Sequence, residues 1–215
     1  MTEKIAIIDY GSGNLRSVEK AFERAAQETG ANALIVQTDD PAAIAGADRV
    51  VLPGVGAFGA CAAGLKARKG VPEALQNAVL AKKRPFLGIC VGMQLMAEHG
   101  EEYGRHEGLG WVGGAVRPLA DDRPDMRTPH MGWNRVSCAA DHPVLEGLDG
   151  AEFYFAHSYH LVTDNDPERV ATADYGGPVT AAVARDNLIG VQFHPEKSQK
   201  AGLALIGNFL KWRSA

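Results

Sequence analysis

Uninterrupted aliphatic runs of strand length alternate with amphipathic stretches of helix length through the N-terminal half of the chain. Ile5–Asp9, Leu34–Gln37, Val50–Leu52 and Phe86–Cys90 are the strand-like runs, and Leu15–Thr29 and Val71–Lys83 the helix-like stretches. In the first helix Leu15, Val18, Phe22 and Ala25 recur at the three-and-four spacing of one buried face, with Glu19, Lys20, Glu23 and Arg24 opposite. Aliphatic strands without polar alternation suit a parallel sheet buried on both faces, with right-handed helical crossovers between its strands. The order predicts an α/β fold: a doubly wound, mostly parallel central sheet with a flavodoxin-like core.

Past residue 100 the pattern changes, and Gly- and Pro-containing turns (Gly113-Gly114, Arg123-Pro124-Asp125, Gly176-Gly177-Pro178) separate shorter segments. Trp133–Val136, Glu152–Phe155, Thr180–Ala184 and Leu188–Phe193 read as antiparallel additions in the C-terminal half. The last two, joined by Arg185-Asp186-Asn187, predict a hairpin, and Ser198–Trp212 predicts a closing helix with Leu203, Ile206 and Leu210 on one side. No repeat, linker or low-complexity tract divides the chain, so residues 1–215 are expected to form one domain.

Composition narrows the function classes. With 215 residues, 46% hydrophobic and 22% charged, the chain has the make-up of a globular domain and not of a disordered tail. Its formal charge of −4, from 22 Lys+Arg against 26 Asp+Glu, lacks the basic excess that phosphate backbones attract. Only Met1-Thr2-Glu3 precedes the first strand, too little for an export signal, and no apolar run approaches the roughly 18–20 residues of a membrane span. A cytoplasmic protein is the expectation. Cys61, Cys90 and Cys138 are odd in number and contain no C-x-x-C pair, so neither a disulfide framework nor a thiolate metal site is encoded. Gly11-Ser12-Gly13 has the wrong spacing for a dinucleotide loop and no other cofactor signature is found, so no metal and no cofactor are expected.

The chemistry is concentrated at three strand ends. Gly88-Ile89-Cys90-Val91-Gly92 joins the strand ending at Ile89 to a predicted helix over Met93–His99, in the pattern of a nucleophile elbow with Cys in place of Ser. Flanking glycines are required there because the strained turn brings backbone against neighbouring strand and helix, and the helix N-terminus favours a thiolate. Cys61 and Cys138 read as structural. Gly190-Val191-Gln192-Phe193-His194-Pro195-Glu196 ends an apolar strand in a histidine with a carboxylate two residues on. His194 is the candidate general base and Glu196 its orienting partner, since parallel sheets carry their sites at the carboxyl ends of strands. Leu52-Pro53-Gly54-Val55-Gly56 also follows a strand, and its free backbone N–H groups suit an oxyanion hole at Val55 and Gly56, with the N–H of Val91 as a second donor.

Together, Gly88–Gln94 (GICVGMQ), Gln192–Glu196 (QFHPE) and Pro53–Gly56 resemble the motifs of the class I glutamine amidotransferases. Asp9–Leu15 (DYGSGNL), His130–Asn134 (HMGWN) and Tyr154–Tyr159 (YFAHSY) make the chain most similar to the branch whose glutaminase subunits serve histidine biosynthesis. The resemblance covers nearly the whole chain. It implies that Cys90 attacks the glutamine carboxamide, that His194 shuttles the proton and that Glu196 orients His194. It also implies that Gly54, Gly56, Gln94, Ser158 and Tyr159 hold the substrate's α-amino and carboxylate ends. The implied partner is a (β/α)8-barrel cyclase, forming a heterodimer, that receives ammonia and makes imidazole glycerol phosphate, with Tyr10, Asn14, Trp133, Tyr154 and Lys197 at the interface. The residues alone leave open a cysteine peptidase or esterase of related build, a glutaminase for another biosynthetic branch, and a silent binding subunit.

Overall fold

A computed structural model describes residues 2–119 and 127–213. Its first part runs β1 (Glu3–Ile8), α1 (Leu15–Thr29), β2 (Ala33–Thr38), α2 (Pro41–Ala45), β3 (Arg49–Gly54), α3 (Phe58–Ala67), α4 (Val71–Gln76), β4 (Phe86–Cys90) and α5 (Val91–Gln94). There follow β5 (His99–Gly100), β6 (His106–Glu107), β7 (Gly114–Pro118), β8 (His130–Cys138), β9 (Glu152–His157) and β10 (Tyr159–Thr163). The chain closes with β11 (Arg169–Asp174), β12 (Pro178–Arg185), β13 (Leu188–Val191) and α6 (Gln199–Lys211).

A nine-stranded sheet in the order β2-β1-β3-β4-β13-β12-β11-β8-β9 forms the backbone of the molecule. Neighbours from β2 to β13 pair in parallel, in the 2-1-3-4-5 order of a flavodoxin-like core. From β13 to β9 every pairing is antiparallel. The sheet is therefore evenly divided between the two kinds. The reversal happens at the predicted hairpin, where Arg185 pairs with Leu188 across a two-residue turn and Asp186 takes a φ of +51°. A second, four-stranded sheet, β10-β7-β5-β6, was not foreseen from the sequence pattern. Ile5, Ile7, Val50, Val51, Phe86 and Leu87 are fully buried, as their unbroken aliphatic runs require.

Three helical expectations change. The segment over Val71–Lys83 is α4 followed by a π turn at Asn77–Ala81, and buried Asn187 donates to the carbonyls of Val79 and Arg84 beside it. The helix expected at Met93–His99 stops at Gln94, because the carbonyls of Leu95, Met96, Ala97 and Glu98 accept N–H groups from the 108–112 segment. Helix α6 buries Leu205, Ile206, Phe209 and Leu210, leaving Leu203 half-buried at the margin of the apolar stripe. Short helices α2 and α3 went unpredicted; Asp40 caps α2 by accepting the Ala42 N–H at 3.0 Å.

Buried Arg49 ties the closing helix down. It pairs with Glu3 and donates to the carbonyls of Phe209 and Trp212 at 2.9 and 2.7 Å. The turn expected at Arg123-Pro124-Asp125 lies outside the described residues. Among those described, no helix is long and apolar enough to cross a membrane.

Candidate active site

The carboxyl ends of β3, β4 and β13 lie side by side, with Gly54 opposite Cys90 and Ile89 opposite Val191. Cys90 stands where β4 turns into α5, at φ +53° and ψ −113°, a conformation side-chain-bearing residues avoid. The two glycines around it are steric necessities. A Cβ on Gly92 would fall 1.7 Å from the Leu52 carbonyl oxygen, and one on Gly88 would sit 2.7 Å from the Gly92 oxygen. Strand, elbow and helix thus fit together only with hydrogen at both positions.

The chain leaving β13 brings His194 to the same edge. Its Nδ1 meets Glu196 Oε1 at 2.9 Å, with the imidazole and carboxylate side chains 4% and 1% exposed. Burial pulls the His194 pKa down, but hydrogen bonds to Cys90 and Glu196 and their negative charge outweigh it and raise it to about 9. Ser198 fixes the backbone here, donating to the His194 carbonyl at 2.6 Å and accepting the Tyr154 N–H at 3.0 Å.

These groups face a cleft of about 380 Å³ lined by Val55, Gly56, Cys90, Val91, Gln94, Ser158, Tyr159, His194 and Lys197 among others. Gly54 lies behind it in β3, and Glu196 supports His194 from within. Gln94 is 3% exposed, and its Nε2 is spent on the Tyr159 carbonyl at 2.9 Å and Gln192 Oε1 at 3.1 Å. Only its Oε1 remains to receive a ligand, which suits an ammonium better than a carboxylate.

The expected oxyanion donors are not all turned inward. Ser12 Oγ donates to the Val55 carbonyl at 2.6 Å and accepts the Val55 N–H at 3.4 Å, and Cys61 Sγ donates to the same carbonyl at 3.4 Å. Val55 is therefore drawn toward the 11–13 loop and its N–H is not aimed at Cys90, contrary to the sequence expectation. Val91 opens α5 directly after Cys90, where first-turn N–H groups lack intrahelical partners.

Of the expected interface residues, Trp133, Tyr154 and Lys197 gather on one face. The Trp133 and Tyr154 rings meet edge-on at 6.2 Å, and Lys197 Nζ lies 5.7 Å from the Tyr154 ring centre. Trp133 is 47% exposed and Met131, on the same side of the strand, 64%. Tyr10, by contrast, is 2% exposed, packed so close that a Cβ on Gly54 would lie 2.6 Å from its hydroxyl, and cannot present its ring to a partner in this conformation. Asn14 is half-buried at the start of α1.

Sequence reasoning gave no role to Gln192, fully buried beneath the elbow with its amide 3.7 Å from Cys90 Sγ, although it opens the QFHPE motif. Nor did it assign Glu102 and His157, which also line the cleft. Glu102 accepts the Phe58 N–H at 2.7 Å, a partnership no local pattern announces.

A nucleophile elbow with a His–Glu pair at the neighbouring parallel strand defines a cysteine-dependent amide or ester hydrolase site. Residues 6–212 match the family model described as glutamine amidotransferase class-I, and the chain belongs to that family. A solved glutamine amidotransferase superposes with a TM-score of 0.70 at 18% identity, covering 93% of this chain and 94% of its own. A glutamine amidotransferase from Thermotoga maritima gives 0.62 at 19% identity over 91% of this chain and 77% of its own. Both likenesses concern the fold.

Nearer relatives are called imidazole glycerol phosphate synthase subunit HisH. That of Rhodospirillum rubrum is 56% identical over 97% of this chain and 99% of its own length. That of Ruegeria pomeroyi is 57% identical over 96% and 98%.

Proposed function

We propose that the chain is the glutaminase subunit of an imidazole glycerol phosphate synthase, hydrolysing L-glutamine to glutamate and ammonia for a cyclase partner. The observation that carries the chemistry is the meeting of Cys90, strained at φ +53°, with the His194–Glu196 pair in one cleft. The near full-length identity to HisH subunits supports the choice of pathway.

In this reading Cys90 gives its thiol proton to His194 as Sγ bonds to the carboxamide carbon, and the carbonyl oxygen takes up negative charge. His194 delivers a proton to the departing nitrogen, the C–N bond breaks, and ammonia leaves a γ-glutamyl thioester on Cys90. Water then attacks the thioester, giving its proton back through His194, and the C–S bond breaks to release glutamate. Glu196 holds the imidazole by Nδ1 throughout, so that its other nitrogen faces the thiol. The oxyanion receives the Val91 N–H and a second donor from Val55 or Gly56; each such donor is worth about 2.7–4 kcal/mol of barrier. In the described conformation Ser12 holds Val55 elsewhere, so Val55 serves as that donor only once its peptide turns.

The patch of exposed Met131, Trp133 and Lys197 with half-buried Tyr154 beside the cleft is where the cyclase docks in this reading. The division of labour is tested by Cys90→Ala. Paired with the cyclase, this variant is expected to lose glutamine-dependent synthesis and keep synthesis from ammonium salts. Equal loss with both nitrogen sources contradicts the proposal.

A further inference from the structure

His130 and His157 are 3% and 6% exposed, and the mechanism uses neither. Their ring nitrogens form one line of hydrogen bonds. Asn134 Nδ2 lies 3.1 Å from His130 Nε2, His130 Nδ1 lies 3.0 Å from His157 Nε2, and His157 Nδ1 lies 2.8 Å from the Tyr159 carbonyl.

The direction of this line is fixed from both ends. A carbonyl only accepts, so His157 carries its proton on Nδ1 and offers Nε2 as an acceptor. His130 must then donate from Nδ1 and accept at Nε2. At the far end, Asn134 Nδ2 also donates to the Asp174 carbonyl at 2.8 Å, which sets the amide the right way round to donate to His130. Both rings are neutral in this arrangement, and burial agrees, lowering the pKa of His130 to about 4 and of His157 to about 3.

Packing locks the orientation. The His130 ring lies between Phe155 and Tyr175, at centroid distances of 4.6 and 4.1 Å and within 18° and 21° of parallel. It cannot swing its Nδ1 away without displacing an aromatic neighbour. The far end of the line reaches the cleft: the Tyr159 carbonyl also accepts from Gln94 Nε2 at 2.9 Å, so its two lone pairs are held by His157 and Gln94. His157, Ser158, Tyr159 and Gln94 all border the cleft.

We propose that His157, oriented by His130, is a positioning residue for glutamine, setting the Ser158–Tyr159 wall against which the substrate's α-amino and carboxylate ends are bound. The inference rests on the glutaminase reading above. It assigns His157 no part in proton transfer and no contact with the scissile amide.

The test combines a spectrum with kinetics on the assembled heterodimer. Side-chain 15N spectra of the full chain are expected to show His130 and His157 as neutral Nδ1–H tautomers; an Nε2–H tautomer at either ring overturns the proposal. His157→Phe is expected to raise KM for glutamine about tenfold, the scale of one lost hydrogen bond, while kcat changes by less than about threefold. Ammonia-dependent synthesis should not move. His157→Asn, whose amide nitrogen can take the place of Nδ1, is expected to bring KM back to within about threefold of wild type, which a purely volumetric role does not predict. Unchanged KM in His157→Phe, or an equal rise in both variants, contradicts the inference while leaving the glutaminase reading intact. If His157→Phe does not fold, the tautomers and the His157→Asn KM decide. A wild-type heterodimer that releases no glutamate removes the glutaminase reading, and this inference with it.

Discussion

At the scale of single residues, what could be read in the sequence is what sterics or chemistry forces into a fixed local pattern. The glycines at 88 and 92 were legible because no side chain fits where they stand, so the elbow writes itself into consecutive letters. Gln192 and His157 were not, since their partners, Cys90 and His130, are 102 and 27 residues away and only the fold brings them together. The histidines also set how stability follows pH. His130, His142 and His157 are lowered by burial to about 4, 4 and 3, so between about pH 6.5 and 4 the unfolded chain binds protons that the folded one refuses. Their contribution is complete above 6.5 and lost as pH falls. His194, raised to about 9 once its hydrogen bonds to Cys90 and Glu196 overcome burial, contributes fully below 6.5 and loses that contribution as pH rises through 9. Thermal melts across pH 4–10 should therefore give a maximum near about pH 6.5 with a fall on both sides. A profile flat from pH 4 to 6.5 contradicts the histidine assignment.

At the scale of elements, strands were read more securely than helices. Unbroken aliphatic runs such as Ile5–Ile8 and Phe86–Ile89 demand burial on both faces, whereas α5 ends where a distant segment takes over its carbonyls, which no local periodicity reports. The segment after β3 carries the same lesson. Its glycines announced an oxyanion loop, but the sequence did not announce that Ser12 and Cys61 would hold the Val55 peptide. If that peptide must turn for catalysis, amide hydrogen exchange over Gly54–Phe58 should change when the proposed cyclase partner and its ligand, the ribotide that accepts ammonia, are added. The Val55 amide in particular should lose its Ser12 acceptor. An unaltered pattern across this segment places the control of activity elsewhere.

At the scale of the whole molecule, function follows from strand order. Placing β3, β4 and β13 next to one another brings the Val55–Gly56 loop, Cys90 and His194, the proposed oxyanion loop, nucleophile and base, to one edge, although Cys90 and His194 are far apart in the chain. The antiparallel half of the sheet then carries Trp133 and Met131 to the surface beside that edge. Alternation of apolar and polar segments foretold the parallel core and the antiparallel additions. It did not foretell the even split or the second sheet, whose strands of two to five residues are too short to show a period. In the proposed reading, a cleft with a strained nucleophile, an oxyanion donor turned away and an apolar patch at its rim belongs to a glutaminase that waits for its partner. The direct measurement is glutamate release from glutamine by the purified chain alone, then with the cyclase, then with cyclase and ribotide ligand. The account predicts little turnover alone and a rise of about tenfold or more when partner and ligand are both present. Full activity without a partner, or none in any mixture, contradicts it.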